Sequence, residues 1–377
     1  MAKPSAPPPG PPPKKGRSGN PAVRSGAQPA PSRLASPRPP APRPSPSRPP
    51  RPTSDRGRPV GAPAGSAGPP SEVLPVDGAP YPLVLRGPGY APGRSVLGVV
   101  LGLSLFVLLT GLVSQVVIVL GWALTAGDVV YADYARQALA FERPVGMLGA
   151  NLGIATLIPI ACGILWLVHR VHPRWLASVR PGLRWRYLLV CLGIALVSLN
   201  GVLLLSQLAA PDRPAVGLQP GFWGFLVVIL LTSPLQAAAE EIFFRGYLLQ
   251  ALGSLVSQPW FGVVVSSVVF ALLHGTQNLP LFVDRLAFGL LAAVLVWRTG
   301  GLEAGIAAHV VNNVFAYVFA GATTGIAALK AVREIGWLDA LFDVGGFAVF
   351  AVLAHLAFRA LKLRHVVDLD AAGTVVR

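Results

Sequence analysis

Glu240 and Glu241 stand side by side in an otherwise apolar stretch, Pro234-Leu-Gln-Ala-Ala-Ala-Glu240-Glu241-Ile-Phe-Phe-Arg245. A carboxylate in hydrocarbon is costly unless it is paired or faces water, so ionisable groups at membrane depth mark function. Two later apolar segments bring His274 and His309. The spacings pair these residues: Glu241 with Arg245, Phe270 with His274, and His309 with Asn313 are each i, i+4, on one helix face. Such a set can activate a water by proton transfer and stabilise an oxyanion. Its two imidazoles and a carboxylate can also hold a zinc ion.

For these groups to meet, the elements carrying them must place them at one depth. No proline interrupts Leu235–Leu252, so the helix bearing the glutamates is expected to run on to Gly253, turn at Ser254–Pro259, and return. Glu240 lies 13 residues before Gly253 and His274 15 residues after Pro259, roughly 20 and 22 Å at the helical rise. A later segment starts near Gly301 and carries Asn313 12 residues in, roughly 18 Å deep. His309 is one turn shallower. The four groups therefore share a layer near the midplane.

The composition requires a membrane. The chain has 377 residues, 53% hydrophobic and 12% charged, with a mean hydropathy of +0.58; no ordinary soluble domain has this balance. Eight apolar segments follow Arg94: about 96–124, 146–168, 187–208, from 222, from 260, 281–297, 302–320 and 338–361. The fold class expected is all-α, a polytopic membrane protein with about eight transmembrane helices. Residues 1–94 hold 14 Lys/Arg against Asp55, Glu72 and Asp77, which is +11 of the net +15. This Pro/Arg-rich stretch cannot bury enough apolar surface to order itself. It is expected to be a disordered cytoplasmic tail, able to touch anionic lipid but dispensable, so that a chain starting near Gly87 keeps the fold. Residues 95–365 would form the membrane domain and 366–377 a short C-terminal tail. No apolar leader follows Met1. Cys162 and Cys191 are expected to be buried free thiols.

Loop charges orient the spans. Arg170, Arg174, Arg180, Arg184 and Arg186 follow the second, Arg298 the sixth, and Arg359, Lys362 and Arg364 the eighth. The alternate loops are poorer, with Asp128, Asp133, Arg136, Glu142 and Arg143 after the first span and Asp212 and Arg213 after the third. Lys330 and Arg333 are a mild exception. The positive-inside rule puts both termini in the cytoplasm, with Trp185, Trp260 and Trp297 in the inner aromatic belt and Trp337 in the outer. Nothing points to nucleic acid; the partners expected are the bilayer and a membrane-associated peptide or protein.

A lone Glu-Glu-x-x-x-Arg is weak, and a single transmembrane His or Asn is often helix–helix glue. A Glu241–Arg245 pair is read as a buried structural bridge, Glu303 as an acid at a helix N-terminus, and Asp284–Arg285 as charges near the start of the sixth helix. Glu240, His274, His309 and Asn313 together exceed what packing explains. The three motifs in this order, Glu240-Glu241-x-x-x-Arg245, Phe270-x-x-x-His274 and His309-x-x-x-Asn313, resemble the CAAX-protease and bacteriocin-processing (Abi) family of intramembrane proteases over about residues 222–320. The resemblance implies an intramembrane endopeptidase whose eight helices enclose a conical cavity lined by the catalytic residues.

The chemistry of the residues is compatible with it. Glu240 would be the general base, His274 would orient the same water, and His309 with Asn313 would donate to the oxyanion, while Glu241, Arg245 and Phe270 give structural support. No cofactor is favoured. A divalent metal such as zinc, held by Glu240, His274 and His309, is the alternative, though an amide is a poor zinc ligand and no His-Glu-x-x-His occurs. A non-catalytic immunity or scaffold protein of the same fold is the rival class. A transporter would be expected to show inverted repeats, and none is visible.

Overall fold

The computed structural model describes residues 72–370, apart from 126 and 210–213. The expected tail before residue 72, the loop charges Asp212 and Arg213, and the C-terminal tail from residue 371 lie outside the described residues. Every described element is helical: α1 (Pro92–Thr125), α2 (Tyr131–Leu139), α3 (Pro144–Ala155), α4 (Leu157–Ile164), α5 (Trp185–Ala209), α6 (Phe222–Glu240), α7 (Leu249–Val256), α8 (Pro259–Leu272), α9 (Leu279–Thr299), α10 (Glu303–Gly321), α11 (Ile326–Ala331) and α12 (Trp337–Ala360). Short π-helical stretches extend α4 (Leu165–His169) and join α6 to α7 (Glu241–Leu248). The chain is thus an all-α, multi-pass integral membrane protein.

Among the described residues seven helices are long and apolar enough to cross a bilayer, including the composite Phe222–Val256 of 35 residues. The fifth expected span, which starts near residue 260, is shorter than a crossing. α8 has 14 residues, about 21 Å, against a hydrocarbon core of ~30 Å. Residues 273–278 then run without helical structure before α9 starts at Leu279. Irregular backbone at that depth survives only where it is buried in protein or lines a wet cavity, and His274 sits in this turn. Trp260 and Trp297 meet edge to face at 5.2 Å, so the base of α8 and the end of α9 share one level, as a common aromatic belt requires.

α10 is the centre of the bundle, packed on α5, α6, α9 and α12. Its first two turns bury Ala304, Gly305, Ala307 and Ala308, and such small residues let helix backbones approach closely. Lipid-facing sides keep their apolar residues exposed, as at Val107 and Leu108 of α1, Leu204 and Leu205 of α5 and Leu230 and Leu231 of α6. Cys191 is buried, Cys162 is partly buried, and both are free thiols.

Residues 72–91, expected to continue the tail, pack against the bundle instead. Tyr81 is fully buried and its hydroxyl donates to the Leu176 carbonyl. Val84 and Leu85 join the main core. The Val73 amide bonds the Arg170 carbonyl at 2.9 Å, and Gly78 and Ala79 exchange bonds with Val367 at 2.9 Å each. The cause is an apolar island, Tyr81-Pro-Leu-Val-Leu85, within the polar composition. The same pairing takes Val366 and Val367 out of the expected C-terminal tail.

Candidate active site

Glu240 is the last residue of α6 and Glu241 the first of the π-helical stretch. The wider i→i+5 turn there, a feature frequent at functional sites, accompanies different fates for the two neighbours. The Glu240 side chain keeps 12% exposure, whereas Glu241 and Arg245 are buried at 0% and 1%. Glu241 and Arg245 form the expected ion pair at 3.0 Å. Arg245 also lies 3.9 Å from the Phe270 ring centroid and 5.1 Å from that of Phe288, so aromatic faces accompany the buried cation. Phe270, expected only as support, thus meets Arg245, and its ring is also 4.6 Å from that of His274.

Glu241 has a second partner that the spacing did not disclose. His309 Nδ1 lies 2.8 Å from Glu241 Oε1, and its Nε2 lies 3.4 Å from Glu240 Oε2. The imidazole therefore bridges the two adjacent carboxylates from α10. Gly305 makes this approach possible: a Cβ there would stand 2.6 Å from Glu241 Oε2.

His274 holds its ring by donating from Nδ1 to the Phe270 carbonyl at 2.7 Å. A carbonyl only accepts, so Nδ1 carries the proton and Nε2 presents its lone pair. Asn313 donates from Nδ2 to Gln236 Oε1 at 3.0 Å. Gln236 in turn donates from Nε2 to Glu240 Oε1 at 2.8 Å. Gln236 is the residue that the sequence reading missed; an amide one helical turn before Glu240, in an apolar stretch, was the available signal.

Glu240, His274, His309 and Asn313 line one cavity of about 540 Å³ together with Gln236 and Phe270, a size typical of ligand sites. Asp284 and Arg285 are also in its wall, about a turn inside α9 and so near its start as expected, and Arg285 donates to Gln277 at 2.9 Å. Lys330 and Arg333 line it too, which accounts for basic residues in a loop where the charge pattern disfavours them. Glu303 is at the start of α10 as expected, but it is fully buried and takes two bonds from the Arg184 guanidinium, at 2.6 and 2.8 Å. Among the described residues no three His, Cys, Asp or Glu side chains are grouped as a metal ion would need.

Residues 222–315 match the family model described as type II CAAX prenyl endopeptidase Rce1-like, a stretch that contains all three motifs. The chain is also 33% identical over 144 residues to the uncharacterized protein YyaK of Bacillus subtilis strain 168. That match covers 35% of this chain and 48% of the relative, about half its length. No solved structure matches the chain. The resemblance drawn from the motifs thus holds, over this stretch, for a CAAX-protease family model.

Proposed function

We propose that the chain is an intramembrane endopeptidase that cleaves membrane-associated peptides or proteins with a glutamate-activated water. One observation carries this reading: Glu240, His274, His309 and Asn313, from α6, the turn after α8, and α10, line a single cavity. Glu240 takes a proton from water as its oxygen attacks the scissile carbonyl carbon. His274, with Nε2 free as an acceptor, holds the second hydrogen of that water. The carbonyl oxygen becomes an oxyanion, and His309 Nε2–H and Asn313 Nδ2–H donate to it. Glu240 then passes its proton to the departing amine as the C–N bond breaks.

Glu241, Arg245 and Phe270 hold this set in place. Arg245 offsets the charge of Glu241, and His309 stands between the two carboxylates. No cofactor is invoked. The family description makes a polypeptide with a prenylated end one substrate class to include in the test.

Proteomics of polypeptide termini, on membranes carrying wild-type protein or Glu240→Gln, tests the assignment. We expect a set of new termini with wild type alone, their rate of formation falling roughly 10²-fold or more in the variant at equal abundance. Near-normal cleavage by Glu240→Gln would sink the glutamate assignment, and the absence of new termini even with wild type would return the chain to the scaffold class.

A further inference from the structure

We infer that Gln236 is a positioning residue that fixes the polarity of the site, aligning Glu240 and turning the Asn313 amide so that its NH₂ faces the cavity. The inference rests on the proteolytic reading above and adds a residue outside the three motifs. Gln236 is 6% exposed and one turn before Glu240 on α6. Its amide has one donor end and one acceptor end. An ionised carboxylate offers only acceptors, so the end at 2.8 Å from Glu240 Oε1 is Nε2. That leaves Oε1 as the end facing Asn313, and an acceptor there demands a donor, the Asn313 Nδ2 at 3.0 Å.

Asn313 therefore cannot flip without setting two oxygens against each other. Asn312 reinforces the choice by donating from its Nδ2 to Asn313 Oδ1 at 3.3 Å. One Nδ2 hydrogen of Asn313 is spent on Gln236, and the second remains for a developing oxyanion. The acceptor face of Glu240 thus sets, through one buried amide, the orientation of the oxyanion donor.

The test uses the full chain reconstituted in liposomes and a synthetic peptide spanning a cleavage site mapped by the terminus experiment. Gln236→Met keeps the length and removes both polar ends. Its kcat should fall roughly tenfold or more, because two buried hydrogen bonds are lost, with KM unchanged. Gln236→Glu keeps the shape but sets a second carboxylate against Glu240, and it too should lose kcat. Asn313→Ala alone should lose roughly 10²-fold, and adding Gln236→Met to it should cost much less than a further tenfold, because the two act as a unit.

Thr232→Val, one turn earlier on α6, removes the hydrogen bond from Asn151 at 2.8 Å without touching the set, and should leave kcat unchanged. Wild-type kcat in Gln236→Met, or fully multiplicative losses with Asn313→Ala, would overturn the inference. So would failure of both Gln236 variants to accumulate beside a normal Thr232→Val, since Gln236 would then be structural. An active Glu240→Gln would instead overturn Glu240 as the base, and a wild-type chain that cleaves nothing would overturn the proteolytic reading; either would take this inference with it.

Discussion

His309 is held from both sides, by Glu241 at 2.8 Å and near Glu240 at 3.4 Å, and its supports are testable singly. Arg245→Ala would strand the buried Glu241 carboxylate and should cost about 3–5 kcal/mol, seen as a lower melting temperature in detergent. A variant that melts as wild type yet fails to cleave would move Arg245 into the chemistry. Gly305→Ala would press a methyl against Glu241 Oε2 at 2.6 Å and should cost about 1–3 kcal/mol by overpacking. An unchanged melting temperature would show that α10 can shift aside. Metal is decided at the same scale. A chelator should leave activity intact, and purified protein should hold far less than one zinc per chain. Stoichiometric zinc, with activity lost on chelation and restored by metal, would make Glu240 a ligand or the base for a metal-bound water.

The element that carries most consequence is the half-helix α8. Because it stops at Leu272, His274 belongs to an unwound turn tied back to the helix by the ring's bond to the Phe270 carbonyl, by the Gly275 amide to the Leu272 carbonyl at 3.1 Å and by the Gln277 side chain to the Ala271 carbonyl at 2.8 Å. The far end of that turn is Asn278, which caps α9 by accepting from the Leu281 amide at 3.1 Å. It also clasps the segment before α12. Its backbone amide bonds Arg333 O at 2.9 Å, and its side chain bonds Ile335 O at 2.9 Å and Ile335 N at 3.4 Å. That segment carries Lys330 and Arg333 over the cavity. Asn278→Ala should therefore lose about 1–3 kcal/mol from the cap and the clasp together. Limited proteolysis should then cut between residues 322 and 336 faster than in wild type. Equal cleavage rates there would show that the clasp does not restrain the segment.

For the whole molecule, the N-terminal boundary matters most. A chain beginning at residue 72 should insert, melt and cleave as the full chain does. Its two ends should also be inaccessible to a membrane-impermeant label on intact cells, as the basic loops require. A chain beginning near Gly87 should melt lower, because it lacks the buried Tyr81, its bond to Leu176 and the pairing with Val367. Equal melting of the two truncations would show that the Tyr81 segment only rests on the bundle.

Much of the site was legible in the sequence. Charged and amide side chains in apolar segments stand out because hydrocarbon penalises them, and counting residues at the helical rise put Glu240, His274, His309 and Asn313 in one layer. The lipid-facing helices were equally plain, since a helix must satisfy its own backbone in the bilayer. Other features depended on tertiary contacts. The π-helical register after Glu240 is a shift of the hydrogen-bond ladder, and the periodicity of side chains does not report it. The bond from His309 to Glu241 needs α10 to approach closely, which Gly305 permits but does not announce. Gln236 looked like a stray amide until Asn313, 77 positions away, met its oxygen. The early end of α8 is stable only because a cavity receives the unwound turn. Tyr81 left the tail because a pocket under Leu176 existed to bury it. A sequence records which groups hydrocarbon would reject, but a polar group's actual partner is set by which helices pack side by side, and that exists only once the chain has folded.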